Sequence, residues 1–302
     1  MADVLIIGGG PAGLSAAIYV QRAGKQALVL EQLVVGGQIV NTPEVENYPG
    51  IKKISGFEFS MGLYEQASDL GAEIAYERAS GICQNSDKTY TVKTESGKDF
   101  IAKAVIIATG AKNRQLGLEK EGFLIGKGVS YCATCDGAFF KGKDVAVNGG
   151  GNTALEDALF LTNYCNKVYI IHRRDQFRGE PGNLEAVKNK ENIEFILNST
   201  ITELKGQDKL EAVVVKDKNT EEIREISVQG LFVAIGQEPD NKGFSDVVDL
   251  DNGGYVSADE SCKTKDPGIF VAGDCRTKAV RQLTTAASDG AIAALAACTY
   301  IG

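Results

Sequence analysis

Two cysteines separated by two residues carry the clearest chemistry in the sequence. Cys132 and Cys135 lie in the string Ser-Tyr-Cys-Ala-Thr-Cys-Asp-Gly, which begins at Ser130. At the start of a helix this spacing allows a disulfide, and the helix dipole lowers a thiol pKa so that thiolate is available at neutral pH. Thiol–disulfide exchange needs one thiolate to attack a partner and a second to resolve the mixed disulfide. The pair therefore predicts a redox-active disulfide.

Asp136, directly after the pair, has two possible roles. It could supply the proton that a leaving thiolate must receive, or it could only cap the helix. The pair could also be half of a zinc site, but tetrahedral zinc needs four ligands, and the chain has one histidine and no second C-x-x-C. We therefore predict no metal site. Isolated cysteines are usually small buried hydrophobes, which is the role predicted for Cys83, Cys165, Cys262, Cys275 and Cys298.

The elements that must position this chemistry begin with a nucleotide-binding pattern at the N-terminus. An apolar strand up to Ile7 runs into glycine-rich residues 8–13, a helical stretch follows to Ala23, and a second strand closes on Glu31. In this context the glycines form a tight turn, admit a pyrophosphate and let helix and strand pack. A carboxylate after the second strand binds ribose hydroxyls and repels a 2′-phosphate, so the site favours FAD or NAD over NADP. A glycine turn without a ligand is the alternative. The predicted contacts are Gly8, Gly10, Pro11, Ala12, Gly13 and Glu31.

A second copy of this pattern begins near residue 144. A strand over 144–147 leads into a glycine turn and a helix to about Tyr164, and the next strand ends at His172 instead of an acid. Guanidinium groups bind phosphate oxygens through paired donors, so the following arginines favour NADPH. The alternatives are a solvated arginine cluster and a plain surface histidine. The predicted contacts are Gly149, Gly151, Asn152, Thr153, Ala154, His172, Arg173, Arg174 and Arg178.

Composition limits the class of protein and its partners. A chain of 302 residues with 43% apolar content suits two α/β domains. Its net charge of −8, without a long basic run, argues against nucleic acid as a partner. The N-terminal apolar stretch reads as a buried strand, and no membrane span is apparent. Seven cysteines with one close pair do not resemble a secreted disulfide framework, so we expect a cytoplasmic protein.

Along its whole length the chain resembles the low-molecular-weight (bacterial-type) thioredoxin reductases. The motifs that carry the resemblance are Gly36-Gly37-Gln38, Val45-Glu46-Asn47-Tyr48-Pro49-Gly50, Ala108-Thr109-Gly110, Cys132-Ala133-Thr134-Cys135-Asp136, His172-Arg173-Arg174 with Arg178, and Gly273-Asp274 followed by Arg281-Gln282. The resemblance implies two Rossmann-like dinucleotide-binding domains, the second inserted into the first. Residues 1–114 and 244–302 would bind FAD, and residues 115–243 would bind NADPH and carry the disulfide. It adds to the FAD contacts Gly37, Gln38, Asn47, Thr109, Gly110, Gly273, Asp274, Arg281 and Gln282.

The same resemblance implies a reaction and a partner. Hydride would pass from NADPH to FAD and electrons to the disulfide, which would then exchange with thioredoxin or a thioredoxin-like protein. Cys135 would lie nearer the flavin, Cys132 would attack the partner and Asp136 would act as the acid. A homodimer and a domain rotation are also implied, with hinges near residues 112–117 and 241–244.

Some positions depart from the family pattern and leave alternatives open. Asn148 replaces a usually apolar residue, and Gly179-Glu180-Pro181-Gly182 replaces an uninterrupted helix start. A Pro-Gly step beside the 2′-phosphate could move the preference toward NADH. Relatives of the fold can be fed by reduced ferredoxin or can reduce a peroxiredoxin-linked carrier. A non-catalytic redox sensor is the alternative outside the enzymes, although few residues remain for a partner-binding appendage.

Overall fold

The computed structural model describes residues 1–42 and 44–302. The chain divides into two compact units, one formed by Met1–Lys112 with Glu238–Gly302 and the other by Asn113–Gln237. Each unit contains a parallel sheet with connecting helices, which confirms the predicted α/β class. Among the helices of the described ranges, none combines the length and the apolar character that a bilayer crossing needs.

The elements are numbered in chain order. The strands are β1 (Ala2–Ile7), β2 (Ala27–Glu31), β3 (Glu73–Tyr76), β4 (Ala79–Gln84), β5 (Tyr90–Thr94), β6 (Asp99–Ile107), β7 (Ala111–Asn113), β8 (Val129–Ser130), β9 (Asp144–Asn148), β10 (Lys167–Ile171), β11 (Ile193–Ile196), β12 (Ser199–Lys205), β13 (Ala212–Asp217), β14 (Ile223–Ser227), β15 (Gly230–Val233), β16 (Gln237–Pro239) and β17 (Ile269–Val271). The helices are α1 (Pro11–Arg22), α2 (Gly56–Asp69), α3 (Glu121–Leu124), α4 (Ala133–Asp136), α5 (Asn152–Leu161), α6 (Pro181–Lys188) and α7 (Leu283–Ile301). The helices after both glycine motifs end within three residues of their predicted ends.

The main sheet of the first unit has the strand order β3-β2-β1-β6-β5-β4, with β17 also paired to β6. Strands β1, β2, β3, β6 and β17 are parallel neighbours. The apolar runs of β1, β2, β6 and β17 are buried as such sheets require, whereas β3, at the edge, is partly exposed. Ile7 is in register with both Leu30 and Ile107. Because parallel strands end at one edge, the loops after β1, β2, β6 and β17 meet there.

Helices α1 and α7 pack on one face of this sheet through small residues. A Cβ at Gly290 would lie 2.2 Å from the carbonyl oxygen of Ala12, so the two backbones approach as closely as glycine permits. The Ser15 hydroxyl donates to the carbonyl oxygen of Ala287 across the same contact at 2.7 Å. The alanine-rich composition of α7 therefore serves close helix–helix packing.

The second unit has a parallel sheet with the order β11-β10-β9-β15-β8 and a separate antiparallel sheet of β12, β13 and β14. Asn148 ends β9 and is in register with Ile171 and Val233. Its carbonyl oxygen accepts from the Ala234 N–H at 2.8 Å, so the departure from an apolar residue leaves the strand intact.

The unit boundaries lie earlier than the sequence predicts. The second unit begins after Lys112 and ends at Gln237, whereas residues 115–243 were predicted. Buried Asn241 explains the difference at the second boundary, because its side chain donates to the carbonyl oxygens of Gly254 and Cys275 in the first unit.

Two glycine substitutions test the α1–α7 packing. We expect Gly290→Ala to destabilise the protein by about 1–3 kcal/mol, because the added methyl group must displace the backbone of α1. Gly62 lies in α2, and a Cβ placed there would have no neighbouring atom within 4 Å. Gly62→Ala is the matched control and should stabilise by about 0.5–1 kcal/mol through helix propensity. Urea unfolding followed by circular dichroism measures both, and equal stability of the two variants would contradict the close packing.

Candidate active site

Cys132 and Cys135 form a disulfide with an S–S distance of 2.11 Å and a Cα–Cα distance of 5.3 Å. Cys132 is the N-cap residue of α4, and both cysteines are half-buried. Ala133, between them, is fully buried and anchors the turn. The predicted disulfide is confirmed.

The helix that begins at the disulfide is only one turn long. α4 has four residues and continues as a 3₁₀ turn over Gly137–Phe140. A Cβ at Gly137 would lie 3.0 Å from the Phe160 ring of α5, so close packing redirects the chain at this point. One turn has few aligned peptide groups, so the dipole at Cys132 is weaker than that of a long helix. The dipole effect on the thiol pKa stays a prediction.

Asp136 is hydrogen-bonded to Ser130, a residue that the sequence reasoning missed. The buried Ser130 hydroxyl donates to Asp136 Oδ2 at 2.6 Å, and its oxygen accepts from the Cys132 N–H at 3.1 Å. Asp136 ends α4 and makes no cap hydrogen bond, so the capping role was wrong. Burial raises the pKa of Asp136, and the Ser130 hydrogen bond opposes that rise.

Buried Glu121 fixes the residue before the disulfide. Its carboxylate accepts from the Tyr131 hydroxyl at 2.7 Å and from the N–H groups of Leu116 and Gly117 at 2.8 Å each. Burial and the Glu121 contact raise the pKa of Tyr131 above its usual range. The segment 116–117 is thereby tied to the strand end that carries the redox pair.

The glycine turn after β1 is built by close backbone contacts. Gly8 has φ +110°, and a Cβ there would lie 2.3 Å from the Ala108 carbonyl oxygen. A Cβ at Gly13 would lie 1.8 Å from the Gly8 carbonyl oxygen. By contrast, nothing lies nearer than 3.9 Å to a Cβ at Gly10, so the backbone is open to a ligand there. Pro11 begins α1, and buried Ala12 follows it.

Glu31 is buried beside this turn. Its Oε2 accepts from the Gly9 N–H at 2.7 Å and its Oε1 accepts from the Leu33 N–H at 2.9 Å. Each carboxylate oxygen keeps a second lone pair for a further donor. The carboxylate is thus fixed by the protein and still able to accept from hydroxyl groups.

Several of the remaining predicted residues of the first unit contact one another or a neighbouring side chain. Asn47 Nδ2 donates to Gln282 Oε1 at 3.1 Å, and Gln282 is the N-cap residue of α7. The Thr109 hydroxyl donates to Asn241 Oδ1 at 2.8 Å, so its side chain already has a protein partner. A Cβ at Gly37 would lie 3.1 Å from Gly10 Cα. Gly37 and Gln38 are exposed, and nothing lies within 4 Å of a Cβ placed on Gly110.

Asp274 has an unsatisfied buried oxygen. Its Oδ1 is buried without a hydrogen-bond partner among the described residues, and burial raises the pKa of its carboxyl group. A buried acceptor without a partner is costly and therefore indicates a missing donor. Arg281 lies close by, since its Nε donates to the Asp274 carbonyl oxygen at 3.3 Å.

A buried ion cluster, which the sequence reasoning also missed, holds the turn before Asp274. Asp289 accepts from Arg276 Nε at 2.9 Å, from Lys278 Nζ at 2.8 Å and from the Gly273 N–H at 3.0 Å. Burial raises the pKa of Asp289, but hydrogen bonds from the two cations prevail and hold it below its usual range. The cluster thus fixes Gly273, which has φ +82°.

The glycine turn of the second unit is supported by the ring of His172. A Cβ at Gly150 would lie 2.2 Å from His172 Cε1, and the ring is 5% exposed. Its Nε2 donates to the Gln176 carbonyl oxygen at 3.1 Å, and it stacks on Phe177. The surface-histidine alternative is therefore wrong. The Arg178 N–H donates to the Gly150 carbonyl oxygen at 2.7 Å, which brings the arginine segment against the turn.

The predicted phosphate ligands surround the start of α5. A Cβ at Gly149 would lie 2.4 Å from the Ala234 carbonyl oxygen, whereas Gly151 has nothing within 4 Å. Asn152 Oδ1 accepts from the Glu180 N–H at 2.6 Å. Thr153 is exposed and Ala154 is buried. Within the described ranges no ion pair or side-chain hydrogen bond engages the exposed guanidinium groups of Arg173, Arg174 and Arg178.

Comparison with known proteins gives full-length matches. Residues 2–290 match the family of pyridine nucleotide-disulphide oxidoreductases. A thioredoxin reductase of Bacillus subtilis (strain 168) is 42% identical, with 99% of this chain and 94% of that protein covered. One of Helicobacter pylori (strain J99) is 44% identical, with coverage of 100% and 99%. The crystal structure of a thioredoxin reductase from Streptococcus pyogenes matches with a TM-score of 0.94, 40% identity and coverage of 99% and 98%.

Removing the charge of Asp289 tests the ion cluster. We expect Asp289→Asn to destabilise the protein by about 3–5 kcal/mol, because Arg276 and Lys278 then remain buried without an anion. Glu260 contacts the same guanidinium at 2.9 Å but is 86% exposed, so Glu260→Gln is the matched control and should have little effect. Urea unfolding measures both variants, and similar losses would show that burial of the pair is unimportant.

Proposed function

Because this chain belongs to the pyridine nucleotide-disulphide oxidoreductase family, and within it to the thioredoxin reductases, we propose that it uses NADPH to reduce the disulfide of a thioredoxin-like protein. The resemblance drawn from the motifs is confirmed, and the chain is an FAD-dependent oxidoreductase with two Rossmann-like folds. The observation that carries the proposal is the Cys132–Cys135 disulfide in the unit that also has the arginine-flanked glycine turn.

The residues of the first unit fit FAD. Gly10 and Gly37 present bare backbone where a pyrophosphate would lie, and Glu31 has lone pairs for ribose hydroxyls. The unsatisfied Oδ1 of Asp274 would accept from a hydroxyl of the cofactor. The side-chain pair of Asn47 and Gln282 lies at the N-terminus of α7. We assign FAD to this set together with the other predicted contacts of the unit.

The residues of the second unit fit NADPH. Gly151 leaves the N-terminus of α5 without a side-chain cap, so its N–H groups are available to phosphate. Arg173 and Arg178 have guanidinium groups available for a 2′-phosphate. The segment Gly179–Gly182 is compatible with this assignment. The Glu180 N–H donates to Asn152 Oδ1 at the start of α5, and the Arg178 N–H still donates to the Gly150 carbonyl oxygen. NADPH is therefore favoured over NADH.

The two cysteines carry out the exchange with the protein substrate. When bound, NADPH and FAD supply the two electrons that open the Cys132–Cys135 disulfide. The Cys132 thiolate attacks one sulfur of the partner disulfide and releases the other as a thiolate. The Cys135 thiolate then attacks Cys132 Sγ, which re-forms the internal disulfide and releases the partner as a dithiol. Asp136 holds a proton for a thiolate produced on the way.

We propose a cytoplasmic homodimer that docks its partner beside the redox pair. Phe139 is 42% exposed and lies four residues after Cys135, which suits it to contact a protein substrate. The exposed side chains of Leu33, Val34 and Phe57 suit a surface of the first unit that a second copy covers. The other cysteines are free thiols, as a reducing compartment requires. Light scattering tests the dimer.

Serine variants of the redox pair test the exchange. Cys132→Ser and Cys135→Ser should each abolish NADPH-dependent thioredoxin reduction, because exchange and resolution need both sulfurs. Flavin reduction by NADPH should persist in both variants. Cys83 is a free, half-buried cysteine, and Cys83→Ser should retain turnover. Stopped-flow flavin absorbance and thioredoxin turnover give the two readouts. Thioredoxin reduction by either redox-pair variant would contradict the proposal.

Loss of an arginine should separate NADPH from NADH. We expect Arg173→Gln or Arg178→Gln to raise the KM for NADPH about 10–100-fold, because a charge-assisted hydrogen bond contributes about 1.5–3 kcal/mol. The KM for NADH should change little, since NADH lacks the 2′-phosphate. Arg224 pairs with Glu194 on the surface of the same unit, so Arg224→Gln is the matched control. Equal effects on both coenzymes, or faster turnover with reduced ferredoxin than with NADPH, would sink the donor assignment.

A further inference from the structure

Ser130 contacts both the redox pair and the neighbouring acid. It ends β8, is 4% exposed and lies two residues before Cys132. Its hydroxyl donates to Asp136 Oδ2 at 2.6 Å, and its oxygen accepts from the Cys132 N–H at 3.1 Å. A longer contact of 3.3 Å joins the same hydroxyl to the Cys132 carbonyl oxygen. A single side chain therefore joins the start of the Cys-x-x-Cys turn to its end.

Among the described residues, Ser130 alone holds the Asp136 carboxyl group through a side chain. Within the described ranges, its only side-chain hydrogen bond is the one from Ser130, while its N–H donates to the Cys132 carbonyl oxygen at 3.1 Å. Asp136 is half-buried, and the short helix α4 that it ends packs against α5 and the Gly137–Phe140 turn. Without the hydroxyl, its side chain would be free to rotate away from the disulfide.

We propose, on the basis of the function above, that Ser130 is a positioning residue for thiol–disulfide exchange, whose hydroxyl ties the Asp136 carboxyl group to the Cys132 end of the Cys-x-x-Cys turn. Opening the disulfide with two electrons produces two thiolates, and the proton on Asp136 goes to one of them. The hydroxyl itself neither gains nor loses a proton in this step. Its role is to fix where the carboxyl lies and how readily the carboxyl ionises.

The surroundings of Asp136 make this hydrogen bond the adjustable element. The titratable groups on α5 are Glu156 and Asp157, and neither acts on the Asp136 carboxyl through its charge. The Gly137–Phe140 turn and β8 carry no titratable side chain. Burial raises the pKa of Asp136, and donation from Ser130 lowers it by stabilising the carboxylate. Loss of the hydroxyl should therefore raise that pKa further.

The sign of the pH effect follows from the role of Asp136 as an acid. The protonated carboxyl is the active form, so the rate should fall as pH rises through its pKa. In Ser130→Ala this basic limb should move upward by about one pH unit, the effect of losing one hydrogen bond to a charged group. The maximal rate should fall about tenfold because the acid is no longer aligned.

The experiment is the pH profile of kcat for thioredoxin reduction by the purified flavoenzyme with NADPH. Asp136→Asn identifies which limb belongs to the acid, because that limb should disappear. Ser130→Thr keeps a hydroxyl and should restore the wild-type limb and most of the rate. Ser199 is a buried serine of the same unit, and its hydroxyl donates to the Leu197 carbonyl oxygen at 2.8 Å. Ser199→Ala is therefore the matched control and should leave the profile unchanged.

The outcomes separate this inference from the proposed function. A wild-type protein that does not reduce thioredoxin refutes the function itself. A wild-type protein that turns over, with a Ser130→Ala variant whose basic limb is unmoved or moves downward, overturns the role of Ser130. Ser130→Gly also lacks the hydroxyl and should show the same upward shift, so the inference stays testable if Ser130→Ala does not fold.

Discussion

Backbone must contact backbone at the carboxyl edge of the first sheet, and this constraint shapes the rest of the first unit. A Cβ at Gly8 would lie 2.3 Å from the Ala108 carbonyl oxygen, and a Cβ at Gly13 would lie 1.8 Å from the Gly8 carbonyl oxygen. Gly290 meets α1 in the same way at 2.2 Å. These residues come from both segments of the discontinuous first unit, and the two segments pack this closely because glycine removes side-chain volume.

Such close packing leaves polar groups with few partners, and the chain satisfies them with a small number of buried side chains. Asp289 takes hydrogen bonds from Arg276, Lys278 and the Gly273 N–H. A buried ion cluster adds little net stability over an apolar one, because desolvation offsets the attraction. Its value here is geometric, since it fixes the turn that presents the unsatisfied oxygen of Asp274.

The strands, the two glycine turns and the disulfide could be predicted from sequence because each is encoded in a short stretch. The Thr109–Asn241 and Arg276–Asp289 contacts could not, because their partners are 132 and 13 residues apart and no local pattern marks them. The short α4 was missed for a related reason. Its end depends on the packing of Gly137 against Phe160, which only the folded unit reveals. Ser130 was missed because its partner Asp136 is six residues away and no local pattern marks the hydrogen bond between them.

The two nucleotide folds differ in charge at equivalent positions, and His172 shows how the second one achieves this. Glu31 ends β2 with a fixed anion, whereas His172 follows β10 with a buried ring. Burial is the main cause of a lowered pKa of His172, and the neighbouring arginines lower it further, so the ring is neutral at pH 7. The ring therefore contributes shape rather than charge: it fills the space under Gly150 while the arginines keep their guanidinium groups in solvent. A protonated ring at this position would be desolvated beside three cations, which is unfavourable. The charge that would recognise a 2′-phosphate therefore comes from the arginines, and the histidine ring supports the turn beside them.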